Sequence, residues 1–218
     1  MGLLDRLSSR TPEPVVRTLG QSAAAVATEP GVGTKALRKF LSCMSTRDVP
    51  VLLDLGPVVG GNINFLAEQL GCKIFIEDLF ADLDRHARES KSDEFAAFLE
   101  KRFTQPSGTI DGILCWDLID FLDRASAQVL AAALTRLLRP DGALLGFFGT
   151  TQNLDSSYTK FVIVDDGTLK HRSYPAQRRR QSVLVNRDII RLFPDLRVSD
   201  SFLLQNKHRE ILFRKPAA

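Results

Sequence analysis

The residues with the most chemical potential lie between Val51 and Gly61, which read Val-Leu-Leu-Asp-Leu-Gly-Pro-Val-Val-Gly-Gly. An apolar run carries one acid, Asp54, and breaks at Gly56. Ile63, Leu66, Ala67 and Leu70 then follow at helical spacing. That pattern predicts a buried parallel strand, a glycine-rich turn and a helix. In open α/β sheets such a turn lies at the carboxyl ends of the strands, where ligands bind. Glycine lacks a Cβ, so backbone there can approach a ligand closely. A nucleotide-like cofactor is the ligand this arrangement suits, and a tight turn with no ligand is the plain alternative. The second dense element is Arg178-Arg179-Arg180, inside a polar stretch from His171 to Gln181. Guanidinium groups match carboxylate or phosphate geometry. The run is expected either to border the cofactor cleft and attract an anionic substrate or to be a solvated loop.

Several elements must position these groups. Lys73-Ile-Phe-Ile-Glu77-Asp78 reads as a second strand ending in acids. Residues 113–116 read as a further apolar strand with Asp117 at its carboxyl end. Val129, Leu130, Ala133, Leu134, Leu137 and Leu138 place one apolar face on a helix over 125–138. Leu138-Arg-Pro-Asp-Gly142 should stop that helix, because Pro140 lacks an N–H and Gly142 accepts the left-handed conformation. A strand over 143–149 follows. Between Asp78 and Phe103 the spacing of Phe95, Phe98, Leu99 and Phe103 predicts helix rather than strand.

This ordered series resembles class I S-adenosylmethionine-dependent methyltransferases over about residues 50–150. Their first motif is an acid followed by glycines at alternating positions. Asp54, Gly56 and Gly60 fit it, while Val58 stands where the middle glycine is expected. A β-branched residue resists positive φ, and Pro57 removes a backbone donor. The loop is therefore expected to take another path or to shift its register onto Gly60-Gly61. The resemblance implies a Rossmann-like, doubly wound, mostly parallel α/β sheet closed by a C-terminal antiparallel hairpin. It implies S-adenosylmethionine as cofactor, held by Asp54, Gly56, Pro57, Val58, Gly60, Gly61, Glu77, Asp78 and Asp117.

In the family an acid ending the second strand holds the ribose hydroxyls. Asp78, 24 residues after Asp54, fits that role, since a carboxylate accepts two hydrogen bonds from a vicinal diol. Glu77 serves if the strand ends one residue earlier, and either acid could instead cap the following helix. Asp117 could bind cofactor, orient substrate or cap a helix. The family's third strand, with its adenine-binding acid, has no counterpart here. Asp117-Leu-Ile-Asp120 stands where methyltransferases of adenine or glutamine amides carry Asn/Asp-Pro-Pro-aromatic, which disfavours those substrates. The function implied is methyl transfer to a small molecule, with Arg178, Arg179 and Arg180 as substrate contacts. A non-catalytic relative that binds a ligand or protein partner is the alternative. A nicotinamide-dependent oxidoreductase is weaker, because no Tyr-x-x-x-Lys pair follows.

Length and composition suit one α/β domain of 218 residues, with 44% hydrophobic and 25% charged residues. Its expected parts are an N-terminal helical cap (1–48), a cofactor-binding half (49–150) and a sheet-closing half (151–218). A net charge of +3 does not by itself imply nucleic acid, and the arginine run lacks the interleaved aromatics that stack bases. No apolar run approaches membrane-span length, and Asp5 and Arg6 interrupt the only early apolar residues, so no signal peptide is expected. Cys43, Cys72 and Cys115 are widely spaced, as reduced thiols of a cytoplasmic protein would be. No Cys/His cluster has metal-ligand spacing, and His86, His171 and His208 are expected at the surface or in packing. A short helix is expected over 21–28. Thr34 is expected to cap a helix whose face is Leu37, Phe40, Leu41 and Met44. Residues 160–164, 197–204 and 209–214 read as strands, with a short helix starting at Asn186.

Overall fold

The computed structural model describes residues 30–151, 157–174, 176 and 178–217. The helix expected over 21–28 lies outside them. Six strands form the central sheet: β2 (Val51–Asp54), β3 (Lys73–Ile76), β4 (Ile110–Trp116), β5 (Leu138–Gly149), β8 (Arg197–Leu203) and β9 (His208–Arg214). Their order is β3-β2-β4-β5-β9-β8. The first four are parallel, and β9 runs antiparallel to both β5 and β8. This is the doubly wound sheet with a C-terminal antiparallel hairpin. It ends at β3, and the chain beyond forms α3 (Leu79–Arg88), a short 3-10 turn and α4 (Phe95–Arg102) in place of a further strand.

Successive strand residues face opposite sides of a sheet, and both sides here are apolar. Leu53, Ile113, Cys115, Leu144 and Phe213 pack against α3, α4, α5 (Arg124–Leu137) and α6 (Asn186–Leu192). Leu52, Leu114, Leu145, Phe147 and Leu212 pack beneath α1 (Ala36–Met44) and α2 (Gly60–Leu70). Leu37, Phe40, Leu41 and Met44 of α1 belong to this second cluster, so α1 lies on the sheet. Among the described residues no helix is long and apolar enough to cross a membrane.

Three local expectations need correction. The helix stop is not made by a left-handed Gly142. Leu138 is already extended after α5, and Asp141 holds the positive φ, at 60°. Gly142 is needed for close packing instead, since a Cβ there would stand 2.8 Å from the Leu138 side chain. Thr34 is a poor cap, its Oγ1 3.4 Å from the Leu37 amide. The start of α1 is held by Glu210, from β9, whose Oε2 accepts the Lys35 and Ala36 amides at 2.9 Å each. No local pattern encodes a cap supplied from so far along the chain.

The third correction concerns the polar stretch around His171. Residues Thr168–Ser173 form a strand, β7, paired antiparallel with β6 (Thr159–Asp165) and with β1 (Val32–Gly33). Asp166-Gly167 between them is a tight hairpin signal. This small sheet is stitched to the large one by Asn62 at the start of α2. Its buried amide donates to the Phe161 carbonyl at 2.9 Å and accepts the Ile163 amide at 2.8 Å. A side chain thus satisfies both backbone groups of a strand. Replacing Asn62 with Ala should cost about 1–3 kcal/mol, because two backbone groups lose their partner in a buried place. A lowered denaturant midpoint and faster hydrogen exchange at the Ile163 amide are the expected readouts.

Candidate functional site

The carboxyl ends of β2, β3 and β4 bring Asp54, Gly56, Glu77, Asp78 and Asp117 to one edge of the sheet. The loop after β2 passes Val58 in the open, 61% exposed and with no positive φ. Gly56, Gly60 and Gly61 also lack positive φ, so left-handed freedom is not what the glycines contribute. Gly60 and Gly61 begin α2 with open space where a Cβ would stand, while a Cβ on Gly56 would lie 2.7 Å from the indole of Trp116. Pro57 is buried and Val59 is the N-cap of α2.

Glu77 and Asp78 part company. The Glu77 carboxylate pairs with Arg102 at 2.5 Å. Asp78 caps α3, accepting the Ala81 amide at 3.1 Å, and burial raises its pKa. Asp78 therefore acts as the helix cap, and that cap uses one of its two carboxylate oxygens.

Three further carboxyls are almost fully buried. Burial pushes Asp54 up to about 6, against the opposing pull of hydrogen bonds from Trp116 Nε1 (2.6 Å) and the Gly56 amide (2.9 Å). Burial and then the neighbouring Asp120 push Asp117 up to about 8. Neither Asp117 oxygen has a hydrogen-bond partner among the described residues; Thr159 is near enough to temper the shift without closing a bond. Asp120 is pushed up to about 7 by burial, tempered by the Gly149 amide, by Arg180 and by Arg209. Its Oδ2 accepts the Gly149 amide at 2.7 Å and lies 3.3 Å from Arg180 Nε. Among the described residues Arg180 is the one cation within ion-pair distance of Asp54, Asp78, Asp117 or Asp120.

Aromatic rings close over these acids. Trp116 has φ 50°, a left-handed conformation that costs an L residue of order 1 kcal/mol or more. Its ring stacks on Phe161, with centroids 5.0 Å apart. Tyr158 is fully buried and stacks flat on Phe80, at 3.8 Å and 5°. Its hydroxyl has no hydrogen-bond partner among the described residues, and burial beside Asp117 raises its pKa well above the ordinary value. Trp116 could have been noticed in the sequence as a bulky residue directly before Asp117. Nothing local marks Tyr158.

The arginine run does not act as one cluster. Arg179 is exposed and donates to Ser157 Oγ at 2.7 Å. Arg178 is half-buried; its amide donates to Asp84 Oδ1 and its Nε to the Phe121 carbonyl. Arg180 is only 5% exposed and ion-paired. The three side chains diverge: Arg179 is solvated, Arg178 is half-buried and Arg180 is turned inward. Arg180 also lines a cleft of about 470 Å³ with Tyr158, His171, Asn206, Lys207 and His208. The rings of His171 and His208 meet edge to face at 5.7 Å. Burial, and then His208, lowers His171 to about 4; burial and then Arg180 lowers His208. Both are neutral at physiological pH. They are isolated in sequence, which hid their meeting. Among the described residues no group of three or more His, Cys, Asp or Glu could hold a metal.

No protein-family model and no curated protein sequence matches the chain. Solved structures do. A 1,6-didemethyltoxoflavin-N1-methyltransferase of Burkholderia thailandensis is 16% identical, with 83% of this chain and 78% of that one covered and a TM-score of 0.50. A SAM-dependent methyltransferase of Aquifex aeolicus is 15% identical over 82% and 88%, TM-score 0.50. The 4+2 cyclase SpnF is 9% identical over 88% of each chain, TM-score 0.53. At these identities the likeness shows the fold alone, a Rossmann-like α/β fold shared with these methyltransferase and cyclase structures.

The buried carboxyls have a measurable consequence. Folded Asp117 keeps its proton to about pH 8, whereas the unfolded group releases it near its ordinary 3.8. Its contribution is therefore fully present below the unfolded value and is lost as pH rises through the folded one. Asp117→Asn should overtake wild type in thermal stability as pH rises from 5 to 9. An advantage of several degrees at pH 9 is expected, about 1 kcal/mol being worth about 2–4 °C in a chain of this size.

Proposed function

We propose that this protein transfers a methyl group from S-adenosylmethionine to a small molecule. The observation that carries the reading is the surplus of buried carboxyls at the carboxyl edge of a parallel sheet, above all Asp117, whose oxygens have no geometric hydrogen-bond partner among the described residues. An unpaired buried polar group is costly, and a ligand bearing a sulfonium and an ammonium group would satisfy it. The donor set fits such a cation: among the described residues only Arg180 lies within ion-pair distance of Asp54, Asp78, Asp117 or Asp120, while Lys160 and Arg209 act on Asp78 and Asp120 from further off. The open backbone at Gly60 and Gly61 gives the ligand close approach. Asp78 is assigned to the ribose diol, since Glu77 is engaged by Arg102. Fold likeness supports the reading, as does the S-adenosylhomocysteine bound to the 1,6-didemethyltoxoflavin-N1-methyltransferase of similar fold.

The cofactor supplies, when bound, a methyl group already activated by positive sulfur. The chain's work is then to orient the acceptor and exclude water. No strong acid–base apparatus is required for that, which agrees with a site built of buried acids and aromatic rings. Tyr158 must leave the face of Phe80 for a planar ring to stack there, because the two rings are already at contact distance.

The second reading is a non-catalytic, methyltransferase-like module that binds a ligand or protein partner. It is favoured by one feature: the chain's own Trp116 and Tyr158 stand against Gly56 and Phe80. Calorimetry with S-adenosylmethionine and its demethylated product separates the two. Under methyl transfer, wild type binds both, and Trp116, the only tryptophan of the chain, changes its fluorescence. Binding a cation beside Asp117 should release a proton at pH 7, seen as a heat that varies with buffer ionisation enthalpy. Asp78→Asn should weaken binding about tenfold, the scale of one charge-assisted hydrogen bond. Tyr158→Ala should bind more tightly than wild type. Absence of binding in wild type and in Tyr158→Ala alike would establish the second reading.

A further inference from the structure

Unpartnered polar atoms are not spread evenly over this molecule. Among the described residues eleven buried side-chain nitrogen or oxygen atoms have no hydrogen-bond partner. Five belong to residues that line the 470 Å³ cleft: Tyr158 Oη, His171 Nε2, Arg180 Nε, Asn206 Nδ2 and His208 Nδ1. Three more, on Asp117 and Asp120, lie beside it. Buried polar groups in folded proteins are nearly always paired, so a concentration of exceptions marks a place where something else completes the bonding. The volume is within the range of small-molecule sites.

The chemistry of the lining selects the ligand. Arg180 and Asn206 offer N–H donors that cannot act as acceptors, and the Tyr158 hydroxyl can donate as well. Lys207 adds an ammonium, and among the described residues no aspartate or glutamate lines the cleft. Among the described residues, the one carboxylate that reaches Arg180 is already shared with the Gly149 amide. Such a cleft is rich in donors and positive charge, and it would reject a cation.

We propose that this cleft binds an oxyanion-bearing small molecule, a carboxylate or a phosphate monoester, and that this molecule is the methyl acceptor. Its role as acceptor rests on the methyl-transfer reading; its binding does not. Lys207 and Arg180 supply the charge, and Asn206 fixes the oxygens. The two histidine rings form one wall, contributed by β7 and β9. The anion stands outside the ring of buried acids that suits a cationic cofactor. Two ligands of opposite charge are thereby sorted into adjacent compartments, with Tyr158 touching both.

The three histidines make the test direct, because each gives its own ring signals. His86 lies on α3, bonded to the Asp82 carbonyl and packed on Phe95, and serves as internal reference. Inorganic phosphate, benzoate and the neutral isostere benzamide are titrated into the full chain. The expected result is that phosphate, benzoate or both shift the His171 and His208 signals and leave His86 still, with benzamide inert. The arm that responds more strongly tells phosphate from carboxylate. Lys207→Gln, in an exposed turn, should weaken the responding anion about tenfold without moving the unfolding midpoint. No shift at His171 and His208 with either anion, an equal response to benzamide, or unchanged affinity in Lys207→Gln overturns the proposal. Anion binding without S-adenosylhomocysteine binding would refute the methyl-donor reading and keep the cleft; the converse would refute the cleft alone.

Discussion

The contact between Asp120 and Arg180 holds the working end of this molecule together. Both side chains are almost wholly buried. Removing two charges from water costs several kcal/mol each, and only good pairing with further hydrogen bonds repays it. Asp120 obtains these from the Gly149 amide at the end of β5, while its own carbonyl accepts the Gln181 amide. One residue thus ties the end of β4 to the end of β5 and to the chain around Arg180. The position of Gly149 depends on it too, since the guanidinium fills the space where a Cβ would project. The cleft beside the sheet and the acids beneath it are two faces of the same junction.

The parallel half of the sheet is legible in the sequence for a simple reason. Strands buried on both faces appear as near-continuous apolar runs, as Val51–Asp54 and Ile110–Trp116 do, and the half-buried edge strand Lys73–Ile76 is marked by its short apolar run before two acids. The missing third strand is legible as well, because Phe95 and Leu99 repeat at helical and not alternating spacing and both are buried in α4. The C-terminal hairpin follows from β-rich segments with a polar turn between them. The small sheet is harder. Its β7, Thr-Leu-Lys-His-Arg-Ser, is mostly polar, and its burial depends on partners distant in sequence.

The site is less legible than the fold. Doubt about the glycine loop attaches naturally to Val58, a β-branched residue in a glycine's place, yet Val58 points to solvent and the crowding comes from Trp116. The sequence separates Trp116 from Gly56 and Tyr158 from Phe80 by long stretches, and ring stacking leaves no periodic trace. The histidines fail to register for the same reason. Likewise the run of three arginines looks like one charge cluster, although adjacent residues in extended chain point in different directions. Only the buried counter-charge of Asp120 picks out Arg180.

The cap on α1 carries a consequence for how the chain is made. The amides of Lys35 and Ala36 are held by Glu210, 175 and 174 positions further on, and β9 must also be in place to complete the sheet beside β5. During synthesis the chain emerges from its amino end, so α1 leaves the ribosome long before its partner exists. Contacts this distant are entropically expensive and form late. The first of the described helices therefore gains its cap only after β9 has formed, and a nascent chain stopped short of Glu210 would hold the start of α1 without it.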